Sequence, residues 1–377
     1  MPLYLASSCP LAGLGRSGQT DVVSTHAVQA PIVVGVLVPP EWFGADFERA
    51  IASLETLDPR VRVIAEPYVE SHDLRSARGK PGADGLRGDA PTLTEAQRAT
   101  FAQLEVLLAL DLPFDIAEVA PKLRWVQAVG AGTAQLQSAG LGPAGIRLTS
   151  AAGVNAVGIA EFALARLLQH WKRFREFDRA QARHHWEPVY GRQLAGSTLG
   201  LIGLGEINSA VAARAKAFDL RVVATRRSAT PGATAPNVDE LFTASDLVAM
   251  LGRCDAVIAA VPETPETTGT MNRERFAAMR SGAFFCNVGR GSFVDEDALI
   301  DALRSGHLSG AALDVASVEP LPPEHPLWDA PNLLLSPHSA ASPAAMFANL
   351  IRLFRDNLGR YLAGTPLHNE VDVARGY

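Results

Sequence analysis

The chain is poor in cysteine, in long apolar runs and in clustered basic residues, and each shortage removes a class of protein. Cys9, Cys254 and Cys286 are odd in number, scattered and without metal-ligand spacing, so they form neither a disulfide framework nor a zinc centre. They read as buried or incidental thiols of a reducing compartment, the cytoplasm. No apolar run approaches the roughly 20 residues that a bilayer span needs. Residues 1–30 do not show the basic-then-apolar pattern of a secretory signal, and their Ser, Gly and Thr content predicts a loose N-terminal extension. A net charge of −6 with no run of Lys or Arg argues against nucleic acid or an anionic membrane as the main partner, whereas a small anionic substrate needs only a single well-placed cation. The adjacent His184 and His185 project too differently to ligate one ion, and no carboxylate or thiol stands at metal spacing from them, so no metal is expected. With Trp186 they read as a solvated helix end or interface.

What the chain does carry is core material. Of 377 residues, 47% are apolar and 20% charged, which is enough for two domains. Short apolar runs alternate with helical ones, as doubly wound parallel sheets require. Strands are expected at 32–38, 61–65, 105–110, 123–127 and 146–149, and a second set at 199–204, 220–225, 256–261, 283–288, 311–315 and 333–336. Residues 71–91, rich in Gly, Arg and Asp, predict a long flexible surface loop. Apolar residues at helical spacing predict a helix-rich stretch over 157–182 and a C-terminal helix over 344–362. Trp42 and Phe43, just after the first strand, stand where a small-domain residue could touch a substrate.

The most informative run begins at Thr198. An apolar strand breaks into Gly203-Leu204-Gly205 and continues through Glu206, Ile207 and Asn208 into a helical stretch. Unpaired backbone N–H groups and the helix dipole converge there on negative charge, which suits a dinucleotide pyrophosphate. Gly203 and Gly205 fill the first two glycine places of such a turn. The third holds Asn208, whose side chain is expected to point away or to push the helix out. The following strand ends in Arg226, Arg227 and Ser228, where a carboxylate would accept hydrogen bonds from ribose hydroxyls. Guanidinium groups beside a hydroxyl suit a 2′-phosphate better, so NADP is preferred to NAD.

Hydride transfer from such a cofactor to a carbonyl needs a cation to stabilise the charge building on oxygen and an acid to protonate the forming alkoxide. Arg290 suits the first task, since it follows an apolar strand at the end where open α/β sheets place ligands. His338 follows another strand and suits the acid role, and Glu319 is the carboxylate that could fix its tautomer.

The motifs come in an ordered series: Val129, Gly130, Ala131 and Gly132; Gly153 and Asn155 leading to Glu161; the glycine turn; Pro262 to Thr267; Asn287 to Gly291; Gly310 to Pro320; and Pro337-His338. From Val126 to Ser339, about two thirds of its length, the chain resembles the D-isomer-specific 2-hydroxyacid dehydrogenase family. The resemblance implies a Rossmann cofactor domain, 151–339, inserted in a flavodoxin-like catalytic domain made of 31–150 and 340–377. It implies a catalytic set of Arg290, Glu319 and His338. It implies cofactor contacts from Gly203, Gly205, Glu206, Ile207, Arg226, Arg227, Ser228, Val261, Pro262, Val288, Asp314 and His338, with Asp314 accepting from the nicotinamide carboxamide. Substrate contacts fall to Val129, Gly130, Ala131 and Arg290, although Thr133-Ala134 stands where the family often has Val-Asp. Glu at 319, where the formate dehydrogenase branch has Gln, argues against that branch. A homodimer joined through cofactor-domain helices is the family default. Because the chain stops at Tyr377, an added regulatory domain is not expected, which favours glyoxylate or hydroxypyruvate reduction over phosphoglycerate oxidation. A non-catalytic dinucleotide sensor is the more distant alternative.

Overall fold

The computed structural model describes residues 30–79, 82–230 and 233–372, so Cys9 and nearly all of the expected N-terminal extension lie outside the described residues. Two parallel sheets carry the architecture. β1 (Ile32–Val36), β2 (Val61–Ala65), β3 (Val106–Ala109), β4 (Trp125–Ala128) and β5 (Arg147–Thr149) pair in the order β2-β1-β3-β4-β5. β6 (Thr198–Ile202), β7 (Arg221–Thr225), β8 (Glu240–Phe242), β9 (Ala256–Ala259), β10 (Ala283–Asn287), β11 (Leu308–Leu313) and β12 (Leu333–Leu335) pair in the order β12-β11-β10-β9-β6-β7-β8.

The helices are α1 (Phe47–Glu55), α2 (His72–Arg78), α3 (Glu95–Phe101), α4 (Ile116–Val119), α5 (Ala134–Gln137), α6 (Ala156–Trp171), α7 (Phe174–Ala182), α8 (Glu206–Lys216), α9 (Leu247–Leu251), α10 (Arg273–Ala278), α11 (Glu296–Arg304) and α12 (Pro343–Leu362). Both faces of each sheet are covered, which is why the strands read as continuous apolar runs rather than alternating ones. In β9, Val257 and Ala259 enter one core while Ala256 and Ile258 enter the opposite one. α6 and α8 pack on that second face, burying Ala160, Leu164, Leu167, Val211 and Ala215. Leu350, Phe354 and Leu358 of α12 return to the first sheet, beside Val34, Val106 and Trp125.

Two local expectations are corrected, and that of a helix-rich stretch over 157–182 is refined. Residues 71–91 are not a structureless loop: Ser71 caps α2 by accepting from Leu74 N at 3.2 Å, and a 3-10 helix covers Ala83–Asp89. The arginines that suggested solvent exposure find carboxylates instead. Arg78 is buried against Glu70, and Arg75 meets Asp111 Oδ1 at 2.7 Å. The stretch 157–182 is two helices, broken where Arg173 takes the left-handed φ of 62°. Trp42 and Phe43 pack on Phe347 of α12, with ring centroids 6.0 and 5.0 Å away, and serve the core under that helix.

Candidate active site

The second sheet reverses its strand order between β6 and β9, and the glycine turn leaves β6 at that switch point, where open α/β sheets bind their ligands. Gly203 has φ 79°, and a methyl group built on it would meet Val261 Cγ1 at 2.6 Å, so only glycine fits between the turn and the Val261-Pro262 segment. Gly205 is the N-cap of α8 and offers no side-chain cap, which leaves the first-turn N–H groups of Glu206 and Ile207 for a ligand. A methyl on Gly205 would meet nothing within 4 Å, so the approach is open. A pyrophosphate fits this cradle, which combines unpaired N–H groups, the positive end of a helix and no obstructing side chain.

Asn208 departs from expectation. It is fully buried and does not push the helix out: its Nδ2 donates to Ile202 O at 3.0 Å and to Gly203 O at 2.6 Å, tying α8 to the end of β6. At the end of β7, Arg226, Arg227 and Ser228 are exposed side by side. Across from them, hydrogen bonds from Thr264 and its own backbone hold the Glu266 carboxyl below the usual carboxylate range, and the Arg227 guanidinium adds to that effect.

Arg290, Glu319 and His338 leave the C-terminal ends of β10, β11 and β12, which are neighbours in the sheet. The Arg290 loop is set by Asn287, whose Nδ2 donates to Arg290 O at 2.8 Å and whose Oδ1 accepts from Gly289 N at 3.0 Å. It is pressed onto the Glu319 loop so closely that a methyl on Gly291 would sit 1.9 Å from Ala316 O. Asp295 is occupied in capping α11 and Glu296 in accepting from Ser317 N and Oγ at 2.7 Å. Arg290 therefore has no carboxylate partner among the described residues. Its guanidinium faces the other sheet instead: a methyl built on Gly132 would lie 4.0 Å from an Arg290 Nη.

His338 Nδ1 meets Glu319 Oε2 at 2.9 Å, and both side chains remain accessible. His338 occupies the left-handed region at φ 50°, a conformation that persists only when its surroundings enforce it. The enforcing group is Asp314. Its backbone O accepts from His338 N at 2.7 Å, while its buried carboxylate accepts from Ser336 Oγ at 2.6 Å and from Ser339 N and Ala340 N at 3.0 Å. Val288 closes the floor, donating its N–H to Ala259 O at 3.0 Å.

From the first sheet, Val129, Gly130 and Ala131 follow β4, with Gly130 O accepting from Ala151 N at 2.9 Å. Among the described residues no group accepts from the N–H groups of Gly130, Ala131 or Gly132. The structure thus groups the glycine turn with Val261, the Arg290 loop with the Glu319 loop and with Gly132, and His338 with Glu319. Arg226–Ser228 follow β7, the strand paired with β6. His184, His185 and Trp186 lie beyond α7, and no group of three potential metal ligands occurs among the described residues. Cys254 and Cys286 are buried, and burial pushes both thiols up to about 12. Sequence reasoning missed Thr225 and Ser336, which bind backbone or carboxylate and carry no motif of their own, and named Asn287 only as the start of the Arg290 motif.

A family model described as D-isomer specific 2-hydroxyacid dehydrogenase, NAD binding domain, matches residues 164–340. A glyoxylate reductase from Thermofilum pendens is 34% identical over 266 residues, 68% of this chain and 77% of that protein. A D-isomer specific 2-hydroxyacid dehydrogenase from Xanthobacter autotrophicus Py2, solved with NADPH and MES, superposes with a TM-score of 0.69 at 30% identity, covering 92% of this chain and 100% of that one. An NADPH-dependent glyoxylate/hydroxypyruvate reductase from Sinorhizobium meliloti, solved with NADP and sulfate, gives 0.67 at 26% identity over 93% and 100%.

Proposed function

The chain belongs to the D-isomer specific 2-hydroxyacid dehydrogenase family, and within it we propose an NADPH-dependent reductase of a small 2-oxoacid of the glyoxylate or hydroxypyruvate type. The observation that carries this reading is the 2.9 Å His338–Glu319 pair on the loop next to Arg290, which faces Gly132 and has no carboxylate partner among the described residues. Arg290 and the N–H groups of the Val129, Gly130 and Ala131 segment hold the substrate carboxylate, and the guanidinium also polarises the ketone. Glu319 occupies Nδ1 of His338 and fixes the orientation of the ring, which leaves Nε2 to deliver the proton to the alkoxide. When bound, the reduced nicotinamide supplies the hydride. Hydride to carbon and proton to oxygen convert the ketone into the alcohol.

Gly203, Gly205, Glu206 and Ile207 take the pyrophosphate, Val261, Pro262, Val288 and Asp314 line the ring end, and Arg226, Arg227 and Ser228 take the 2′-phosphate. The preference for NADP is supported by the absence of any acidic residue at the end of β7, and two of the solved relatives carry NADPH or NADP. Residues 151–339 form the cofactor domain and 31–150 with 340–377 the substrate domain, in keeping with α12 packing on the first sheet. The chain works as a cytoplasmic homodimer.

The test is loss of NADPH absorbance across a panel of 2-oxoacids, with wild type and His338→Gln side by side. We expect turnover of glyoxylate or hydroxypyruvate, and a loss of about 10²–10⁴ in kcat on removing the general acid. Silence of the wild-type protein across the panel, with NADPH still bound, would turn the reading toward a dinucleotide sensor.

A further inference from the structure

Asn208 stands where a dinucleotide-binding turn ordinarily has its third glycine. We propose that it is a positioning residue for the dinucleotide, and that with Thr225 it clamps the Gly203 peptides in the orientation that receives phosphate. The inference rests on reading this turn as the pyrophosphate site.

The N–H and C=O of Gly203 are held from two different elements. Thr225 Oγ1, at the end of β7, accepts from Gly203 N at 3.1 Å. Asn208 Nδ2, inside α8, donates to Ile202 O at 3.0 Å and to Gly203 O at 2.6 Å, and lies 3.5 Å from Ile258 O on the adjacent strand. Ile202 O has a second donor in Ala260 N at 3.2 Å, whereas Gly203 O has no other donor among the described residues. Without the amide, the peptide after Gly203 is free to turn over. Its carbonyl would then face the anion and its N–H would face away, exchanging attraction for repulsion at the point where the phosphate binds. Asn208 Oδ1 is buried with no partner, a cost that a side chain serving only to fill space would not carry. The clamp removes this freedom before the ligand arrives, which is preorganisation. Since Thr225 immediately precedes Arg226, the same clamp fixes the pyrophosphate turn relative to the ribose loop.

The experiment measures NADPH dissociation constants by fluorescence on full-length wild type, Asn208→Gly, Thr225→Val, Thr225→Ser and the Asn208→Gly/Thr225→Val double variant, together with kcat, KM and ligand-free melting temperature. Glycine at 208 suits close helix packing, so that variant should fold. We expect Asn208→Gly and Thr225→Val each to weaken NADPH about tenfold. KM for NADPH should rise in parallel, kcat at saturating NADPH should change less than about twofold, Thr225→Ser should restore binding, and the double variant should lose less than the product of the singles. Unchanged dissociation constants with a lowered melting temperature would make Asn208 a structural tie only and overturn the proposal. Wild-type protein that binds no NADPH would instead overturn the pyrophosphate reading beneath it.

Discussion

Single side chains decide which cofactor this cleft takes. Arg226 has no ion-pair partner among the described residues, is exposed, and sits one place beyond β7, where a carboxylate would select for a bare ribose. On the proposed reading, exchanging Arg226 for Asp would remove a charge-assisted contact to the 2′-phosphate and supply an acceptor for the diol. The ratio of kcat/KM for NADPH over NADH should fall by about 10-fold to 100-fold, roughly 1–3 kcal/mol. Steady-state kinetics with both cofactors give that ratio directly, and an unchanged ratio would remove Arg226 from the phosphate site. These positions were legible in the sequence because ligand-facing groups recur in fixed spacing after strand ends. Asn208 was misread for the converse reason: a polar residue at a packing position looks disruptive until the carbonyls it satisfies are seen, and those belong to Ile202 and Gly203 on another element.

Among the helices and strands, the apolar runs located the long buried strands because both of their faces are covered, whereas the short edge strand β8, whose residues are only partly buried, carried no comparable signal. The segment around α2 was illegible because composition was its only signal, and composition does not say whether an arginine has a partner. Arg78 is buried against Glu70, with Ser138 Oγ 2.9 Å and Leu112 O 2.6 Å from its guanidinium. Burial raises the Glu70 carboxyl above its usual range while Arg78 opposes the shift, so the pair is held against a desolvation cost. Arg78→Met should destabilise the protein by about 3–5 kcal/mol in urea unfolding, because Glu70 is left buried without its counter-charge. Adding Glu70→Leu should recover most of that loss, since an apolar pair of similar volume carries no such cost. A loss confined to surface values, below about 1 kcal/mol, would mean that the pair is solvated and that α2 is held by something else.

The assembled chain leaves one surface unexplained by its own packing. Trp186 is 100% exposed and Tyr190 88%, and Phe174 and Phe177 of α7 are also exposed. With His184, His185 and Val189, Phe177 and these two rings line an open groove of about 750 Å³ beside α7. Isolated exposed aromatics are ordinary, but a contiguous group on one projecting segment is the mark of a surface buried in an assembly. The segment follows α7, which continues from α6 on the second sheet, so a contact made here would join copies through that sheet. On the proposed reading the cleft closes to expel water, and a junction through the second sheet would leave the first sheet free to close without dismantling the assembly. Sedimentation should therefore give twice the chain mass at micromolar concentration. The pair Trp186→Ser and Tyr190→Ser should shift it to the monomer while NADPH still binds, since both rings line the groove beside α7 and neither meets Gly203 or Gly205. A variant that remains dimeric would move the junction to another face of the cofactor sheet.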